Sequence, residues 1–331
     1  MNPVQKYLIA WRTFAVTLLL VFATSLAMTN GLAESWRMTA YAAGSSESVA
    51  LRTISGTRTG LGHPAGMVVA GGSELLVSNK ANNSVTVYAR GAGGNVAPRR
   101  TISGARTGLI DPRDVALDSS GNLYVSNKNN SVTVYAPRAT GNVRALRTIS
   151  GARTELNDPE GMVLDPAGNL YVVNILGNSV TVYAPRATGN AAPLRTISGF
   201  HTGLNSPGGV ALDSSGNLYV SNSDSIIVFA PGDSDNIAPL RTISGAHTGL
   251  ANPLGVALDH AGHLYVANIL GSSVTIYALG AAGDAVPIRT VSGSRAGLSR
   301  PGGVAFDSSG TLYVSNIKNN SITVYAARRP Y

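Results

Sequence analysis

Residues 100–104 read Arg-Thr-Ile-Ser-Gly, and residues 114–118, 121–127 and 130–136 read Asp-Val-Ala-Leu-Asp, Gly-Asn-Leu-Tyr-Val-Ser-Asn and Asn-Ser-Val-Thr-Val-Tyr-Ala. The later motifs are rich in β-branched and aromatic residues, which favour strands. Gly, Asn and Asp lie between them, and these residues favour tight turns. The series then begins again at Arg147. This stretch therefore predicts a unit of four short antiparallel strands.

The unit occurs six times in the 331-residue chain. In its second copy we predict strands over 113–118, 122–127, 131–136 and 145–150. One such sheet cannot bury both of its faces, but six arranged radially cover one another. The sequence thus predicts an all-β, six-bladed β-propeller over residues 50–326, with four antiparallel strands per blade and essentially no helix. Each copy begins with an arginine of the Arg-Thr-(Ile/Val)-Ser-Gly string: Arg52, Arg100, Arg147, Arg195, Arg241 and Arg289.

The repeats begin and end in the middle of a blade. Residues 50–55 are a fourth strand with no preceding three, and residues 302–326 are three strands with no fourth. The N-terminal strand is therefore expected to complete the last blade, which closes the ring and covers a sheet edge. Residues 327–331 are left as a short tail.

Residues 1–33 have the layout of a secretory signal peptide. Lys6 and Arg12 precede an apolar stretch at 14–27, and small residues follow. The stretch is shorter than the roughly 20 residues of a membrane span, and an uncleaved N-terminal anchor is the alternative. We expect an exported protein, periplasmic or secreted, in which residues 34–49 form a linker and no later segment spans a membrane.

Composition narrows the possible chemistry. The chain has no cysteine, which excludes disulfides, cysteine-based zinc sites and thiol nucleophiles. Its formal net charge of +8 becomes +6 when residues 1–33, with two cations and no acidic residue, are removed. This mild basic excess suits a protein partner or an anionic cell-envelope ligand. Nucleic-acid binding would require a dense basic patch with interleaved aromatics, which the sequence lacks. We expect a monomer.

The motifs at 114–118, 121–127 and 130–136 resemble the NHL repeat, and the resemblance covers residues 50–326. It implies a six-bladed propeller. Relatives of that kind include interaction modules, sensor domains of bacterial receptor kinases, lactonases and lyases, so the fold alone does not define the activity. The second strand of the NHL repeat usually ends in Asp, whereas all six copies here end in Asn: Asn79, Asn127, Asn174, Asn222, Asn268 and Asn316. We expect these asparagines to cap their own turns.

Function is sought where the copies differ, because a residue that recurs in every copy is expected to serve the fold. After the Pro that precedes each first strand, the copies carry small or apolar residues, except at Arg113, Asp114 and Glu160. These three are expected at the entrance of the central channel and form our first candidate binding site. Resemblance to gluconolactonase-like propellers makes Glu160 and Asp114 conceivable ligands of calcium or magnesium. The alternative is an ion pair of Arg113 with either carboxylate.

A second candidate set lies six residues after each repeated arginine, in the loops that join successive blades. Its members would form a basic crown for an anionic polymer, or they would serve local bonds to loop carbonyls or to the neighbouring blade. They are Arg58, Arg106, Arg153, His201, His247 and Arg295.

No catalytic motif accompanies these candidates. The histidines lack metal-ligand spacing, and there is neither a Gly-x-Ser-x-Gly motif nor a phosphate loop. We therefore expect an exported binding or scaffold module that acts through its loops and channel mouth, with no catalytic residue, metal or cofactor. The alternative is a metal-dependent lactonase-like or lyase-like enzyme that holds calcium or magnesium at the channel mouth.

Overall fold

Twenty-four strands follow one another in the residues that the computed structural model describes, 49–71 and 74–327. In chain order they are β1 (Arg52–Ser55), β2 (Pro64–Ala70), β3 (Glu74–Asn79), β4 (Ser84–Ala89), β5 (Arg100–Ser103), β6 (Pro112–Leu117), β7 (Leu123–Asn127), β8 (Ser131–Tyr135), β9 (Arg147–Ser150), β10 (Pro159–Leu164), β11 (Leu170–Asn174), β12 (Ser179–Tyr183), β13 (Arg195–Ser198), β14 (Val210–Leu212), β15 (Leu218–Asn222), β16 (Ser225–Phe229), β17 (Arg241–Ile243), β18 (Pro253–Leu258), β19 (Leu264–Asn268), β20 (Ser273–Tyr277), β21 (Arg289–Val291), β22 (Pro301–Phe306), β23 (Leu312–Asn316) and β24 (Ser321–Tyr325). The helices in this part of the chain are single 3-10 turns at Ala152–Thr154, Phe200–Thr202 and Ser294–Ala296.

These strands form six four-stranded antiparallel sheets, and the predicted all-β, six-bladed propeller is confirmed. Blade 1 is β2–β5, blade 2 is β6–β9, blade 3 is β10–β13, blade 4 is β14–β17 and blade 5 is β18–β21, while β22–β24 and β1 form blade 6. The first strand of each blade contacts the first strands of its two neighbours, and β2 contacts β22, so the ring is closed.

Closure depends on β1, as the sequence predicts. It pairs with β24 in antiparallel register, from Arg52 opposite Val324 to Ser55 opposite Ser321. Ile54 is only 1% exposed and packs in a core cluster with Val324. The first strand of the described residues thereby covers an edge that the last three strands would otherwise leave open.

The cores lie between blades, where side chains of one sheet meet those of the next. Val132 of blade 2 packs with Met162 and Leu170 of blade 3, and equivalent clusters occur around the ring. The tyrosine that ends most third strands is also buried here: the hydroxyl of Tyr135 donates to the carbonyl of Thr107 at 2.7 Å. Burial raises the pKa of Tyr135 to about 12. Its bulk fills the wider, outer part of the wedge between blades.

The six asparagines at the ends of the second strands are buried and structural, but they cap a different segment from the one predicted. In Asn127, Oδ1 accepts from the backbone N–H of Ile110 at 3.2 Å, and Nδ2 donates to Thr133 at 3.1 Å. Each asparagine thus fastens the loop that precedes its blade, in addition to bonding its own hairpin.

Two sets of connections share one face of the ring, which we call the upper face. They are the inter-blade loops (56–63, 104–111, 151–158, 199–209, 244–252 and 292–300) and the turns between second and third strands. They share a face because consecutive strands run in opposite directions. The described strands and core clusters lie within residues 46–331, which form a compact unit of their own.

The predicted signal peptide and most of the predicted linker lie outside the described residues. Within residues 49–71 and 74–327, no helix has the length and apolarity required to cross a membrane.

Candidate functional site

A β-bulge at the start of the first strand places the first set of candidate residues. In five blades the pairing with the second strand shifts immediately after the strand's first proline, as between Pro112 and Val115 in blade 2. Bulges re-aim side chains, and they are common beside functional sites. Here they turn Arg113, Asp114 and Glu160 toward a central cavity of about 250 Å³. The cavity rim, which we call the channel mouth, is formed by the bulge residues of five blades and by the corresponding two residues of blade 4: Ala65, Gly66, Arg113, Asp114, Glu160, Gly161, Gly208, Gly209, Leu254, Gly255, Gly302 and Gly303.

Glu160 is held by two cations. Its side chain is only 7% exposed, and its Oε1 lies 3.0 Å from Lys80 Nζ while its Oε2 lies 3.3 Å from Arg113 Nη1. A buried carboxylate requires such compensation, because removal from water strongly disfavours an isolated charge. The ion pair expected between Arg113 and Glu160 is therefore present, and Lys80 strengthens it.

Arg113 also joins two further carboxylates of the inter-blade loops. Its Nη2 lies 3.4 Å from Asp111 Oδ2 and 3.5 Å from Asp158 Oδ1. Its Nε has no hydrogen-bond partner among the described residues. We call Lys80, Asp111, Arg113, Asp158 and Glu160 the ion cluster.

Sequence reasoning missed Lys80, which reaches Glu160 across a separation of 80 residues. A signal was present nonetheless. The first residue of the turn after the second strand is Lys in blades 1 and 2, but it is apolar or Ser in the others: Ile175, Ser223, Ile269 and Ile317. The charged turn residues of blades 1 and 2 thus lie beside the charged bulge residues of blades 2 and 3.

Asp114 bridges backbone amides instead of pairing with Arg113. Its Oδ1 accepts from Val115 N–H at 2.8 Å, and its Oδ2 accepts from Met162 N–H of blade 3, also at 2.8 Å. Burial raises its pKa to about 7; the nearby charge of Glu160 also raises this pKa, while the two amide bonds and Lys80 lower it. Asp114 is thus a carboxyl that titrates near neutrality beside the channel.

The raised pKa of Asp114 predicts a measurable pH dependence of stability. An unfolded Asp titrates near 3.9, so between about pH 4 and pH 7 the folded chain binds more protons than the unfolded chain. The free energy of unfolding should therefore fall as pH rises through this window, by about 2–4 kcal/mol from this group. In Asp114→Asn this component should be absent. Urea unfolding of the unmodified protein and of the variant between pH 4 and pH 7 isolates this component. Parallel plots of unfolding free energy against pH would contradict the raised pKa of Asp114.

The two candidate metal ligands do not fit a divalent cation in this arrangement. Both oxygens of Glu160 face the cations Lys80 and Arg113, and both oxygens of Asp114 accept amide N–H groups. A calcium or magnesium ion needs oxygen ligands that are free to converge on it. The described part of the chain contains no group of three or more His, Asp or Glu side chains arranged to hold a metal ion.

The second set of candidates lies on the upper face, one residue in each inter-blade loop, and the structure does not bring its members together. All six side chains are exposed. Their loops are fastened by the following repeat: the backbone N–H of Arg58 donates to Asn95 Oδ1 at 2.8 Å, and that of His247 donates to Asp284 Oδ1 at 2.8 Å. Equivalent bonds serve Arg106, Arg153 and His201.

The channel mouth has two unlike halves. Blades 1–3 contribute the charged groups Arg113, Asp114 and Glu160, together with the nearby Lys80. Blades 4–6 contribute only glycines and Leu254. This division distinguishes one side of the channel mouth from the other in an otherwise regular ring.

Comparisons with known proteins agree on a propeller. The family model for "Lactonase, 7-bladed beta-propeller" matches residues 33–154 and 159–284. No curated protein sequence matches the chain. The solved structures described next are 11–13% identical to the chain, and at so low an identity their likeness shows the fold alone.

Three solved structures illustrate the likeness. A streptogramin B lyase is 12% identical, with a TM-score of 0.55 over 85% of this chain and 97% of its own. A catalytically inactive virginiamycin B lyase from Staphylococcus aureus with quinupristin is 13% identical, with a TM-score of 0.56 over 84% and 88%. The Cps50 (Swd1) propeller domain of Myceliophteria thermophila is 11% identical, with a TM-score of 0.58 over 85% and 100%. The described residues form six blades, whereas the matching family is named for a seven-bladed β-propeller. Because the family model matches most of the chain, this protein belongs to that lactonase family.

Proposed function

We propose that the chain is an exported binding module of the NHL type whose channel mouth holds a small amphipathic ligand. The observation that carries this proposal is the division of the mouth into a charged half and an apolar half. A ligand with a polar group toward Arg113 and an aliphatic portion toward Leu254 would satisfy both halves. The guanidinium of Arg113, which lines the cavity, would donate to the polar group.

The ion cluster supports a function because the fold does not require it. Blades 5 and 6 form the same bulged first strand with Gly or Leu where blades 2 and 3 carry charges, and blade 4 has Gly208 and Gly209 at these positions. Burial of several charges often contributes no net stability compared with apolar packing. Charges confined to one half of the mouth are therefore better explained by recognition than by folding.

A second candidate function is ring opening of a lactone, which the family match favours. Because Glu160 and Asp114 do not fit a metal ion as arranged, we assign no metal to this chemistry. Asp114, with a pKa of about 7, is the residue best suited to exchange a proton near neutral pH. One panel of probes tests both candidate functions.

The panel consists of lactones with aliphatic tails of graded length and the corresponding hydroxy acids, added to residues 46–331. For a binding module, at least one probe should bind in calorimetry and remain unchanged. Arg113→Met should weaken that binding by about tenfold or more, while Arg144→Met, at an exposed arginine between the third and fourth strands of blade 2 on the opposite face, should not. Loss of the lactone with release of hydroxy acid, abolished in Asp114→Asn, would instead establish the enzyme. Absence of both binding and turnover would contradict both.

A further inference from the structure

We propose that the upper face docks on an anionic lipid surface. Exposed cations occupy one side of this face, on blades 6, 1 and 2, and three of its four exposed large apolar side chains occupy the other side, on blades 3 to 5; the fourth, Ile110, stands among the cations. The proposal does not rest on the channel ligand, because docking would stand if the mouth bound nothing.

The apolar side chains stand at loop tips. Phe200, at the start of the loop between blades 3 and 4, is 93% exposed. Leu176 and Leu270, in the second-to-third-strand turns of blades 3 and 5, are 69% and 73% exposed. The other copies place small residues where Phe200 stands: Thr57, Ala105, Ala152, Ala246 and Ser294. Large apolar groups exposed at several loop tips of one face are typical of an interaction site.

The cations lie on the remaining part of the same face. Arg58, Arg106 and Arg153 stand in three consecutive inter-blade loops, and Arg300 and Lys318 are exposed on blade 6. The acidic groups Asp111 and Asp158 of this region are engaged by Arg113. The exposed acidic residues that remain among the loops and turns defined as this face are Glu155 and Asp224. The cationic side therefore keeps a net positive charge.

A lipid surface explains both features at once. Anionic headgroups attract the cations, and each cation close to such a surface raises binding about fivefold. Aromatic and leucine side chains at loop tips enter the boundary between headgroups and acyl chains. Because the two features occupy opposite sides of the face, the ring would rest tilted, with blades 3 to 5 deeper and blades 6, 1 and 2 on the headgroups.

The test is sedimentation of residues 46–331 with vesicles of phosphatidylglycerol mixed with phosphatidylcholine, compared with phosphatidylcholine alone. The use of residues 46–331 removes any contribution of the N-terminal apolar stretch. We expect binding to the anionic vesicles to be at least about tenfold stronger, and to weaken as salt is added. Failure to bind the anionic vesicles would overturn the proposal and favour a protein partner for this face.

Matched triple variants distinguish the upper face from general surface properties. Phe200→Ser, Leu176→Ser and Leu270→Ser together should reduce vesicle binding about tenfold or more. Leu146→Ser, Leu194→Ser and Leu279→Ser should not, although those leucines are 60%, 62% and 65% exposed, because they stand at the lower ends of strands.

A second pair of triple variants tests the charges. Removal of the cations by Arg58→Gln, Arg106→Gln and Arg153→Gln should reduce binding to anionic vesicles by about a hundredfold. The same change of charge at Arg90, Arg138 and Arg186, which follow the third strands on the opposite face, should have little effect. Equal losses in the two sets would overturn the proposal, because they would indicate an effect of net charge and not of this face.

Discussion

Removal of residues 50–56 from the propeller is expected to abolish its cooperative unfolding transition. The deletion removes β1, whose four residues pair with β24, and it leaves the outer edge of β24 exposed. Loss of the buried Ile54 side chain alone should cost about 2–5 kcal/mol, a large part of the roughly 5–15 kcal/mol of a typical domain. An open strand edge also invites pairing with other chains.

The comparison is between residues 46–331 and residues 57–331, measured by thermal unfolding and size-exclusion chromatography. We expect the longer protein to unfold cooperatively as a monomer and the shorter one to aggregate or to lack a transition. An unchanged Tm in the shorter protein would show that β1 does not close the ring.

Substitution of Arg113 by Met should lower the free energy of unfolding by about 3–5 kcal/mol. Arg113 contacts Asp111, Asp158 and Glu160, and the Glu160 side chain is only 7% exposed. Without the guanidinium, Glu160 keeps only Lys80 as a counterion, and the two aspartates lose their shared partner. Urea unfolding at neutral pH measures the effect.

A double variant separates charge from packing. Arg113→Met combined with Glu160→Gln removes the uncompensated charge, so it should recover a substantial part of the lost stability. Arg300→Met serves as the control for loss of an exposed arginine and should change stability by less than about 0.5 kcal/mol. If the double variant were as unstable as the sum of its two single variants, the ion cluster would not be the cause.

The sequence was sufficient to predict the architecture because the information is local and repeated six times. Strand-forming motifs such as 121–127 and 130–136 identify their own hairpins, and the mid-blade start at 50–55 identifies the closing pair with β24. The asparagines at the ends of the second strands show what local sequence does not predict. Their type and burial suit a cap, but the accepted N–H group belongs to the preceding loop, 17 residues away in the case of Asn127.

The candidate site was only partly predictable. The departures from the repeat at Arg113, Asp114 and Glu160 indicate the correct place, since all three line the channel mouth. The partners could not be assigned, because the bulge changes the direction of each side chain. Asp114 therefore bonds amides rather than Arg113, and Lys80 arrives from a turn two blades away. Such pairings depend on the ring's three-dimensional closure and not on spacing along the chain.

The sequence of the closing strand β1 does not distinguish it from the fourth strands of other blades. β1 has the sequence Arg-Thr-Ile-Ser, and so do β5, β9 and β13. Side-chain chemistry therefore does not determine which of these identical strands pairs with a given third strand. The length of the chain that connects the two strands determines it. The pairing that completes the ring joins its first and last described strands, so it forms only after the last repeat has been synthesised. Until β1 pairs with it, the outer edge of β24 has no partner, and the identical strand of a second molecule is as good a partner as its own, which makes strand exchange the characteristic folding error of this ring.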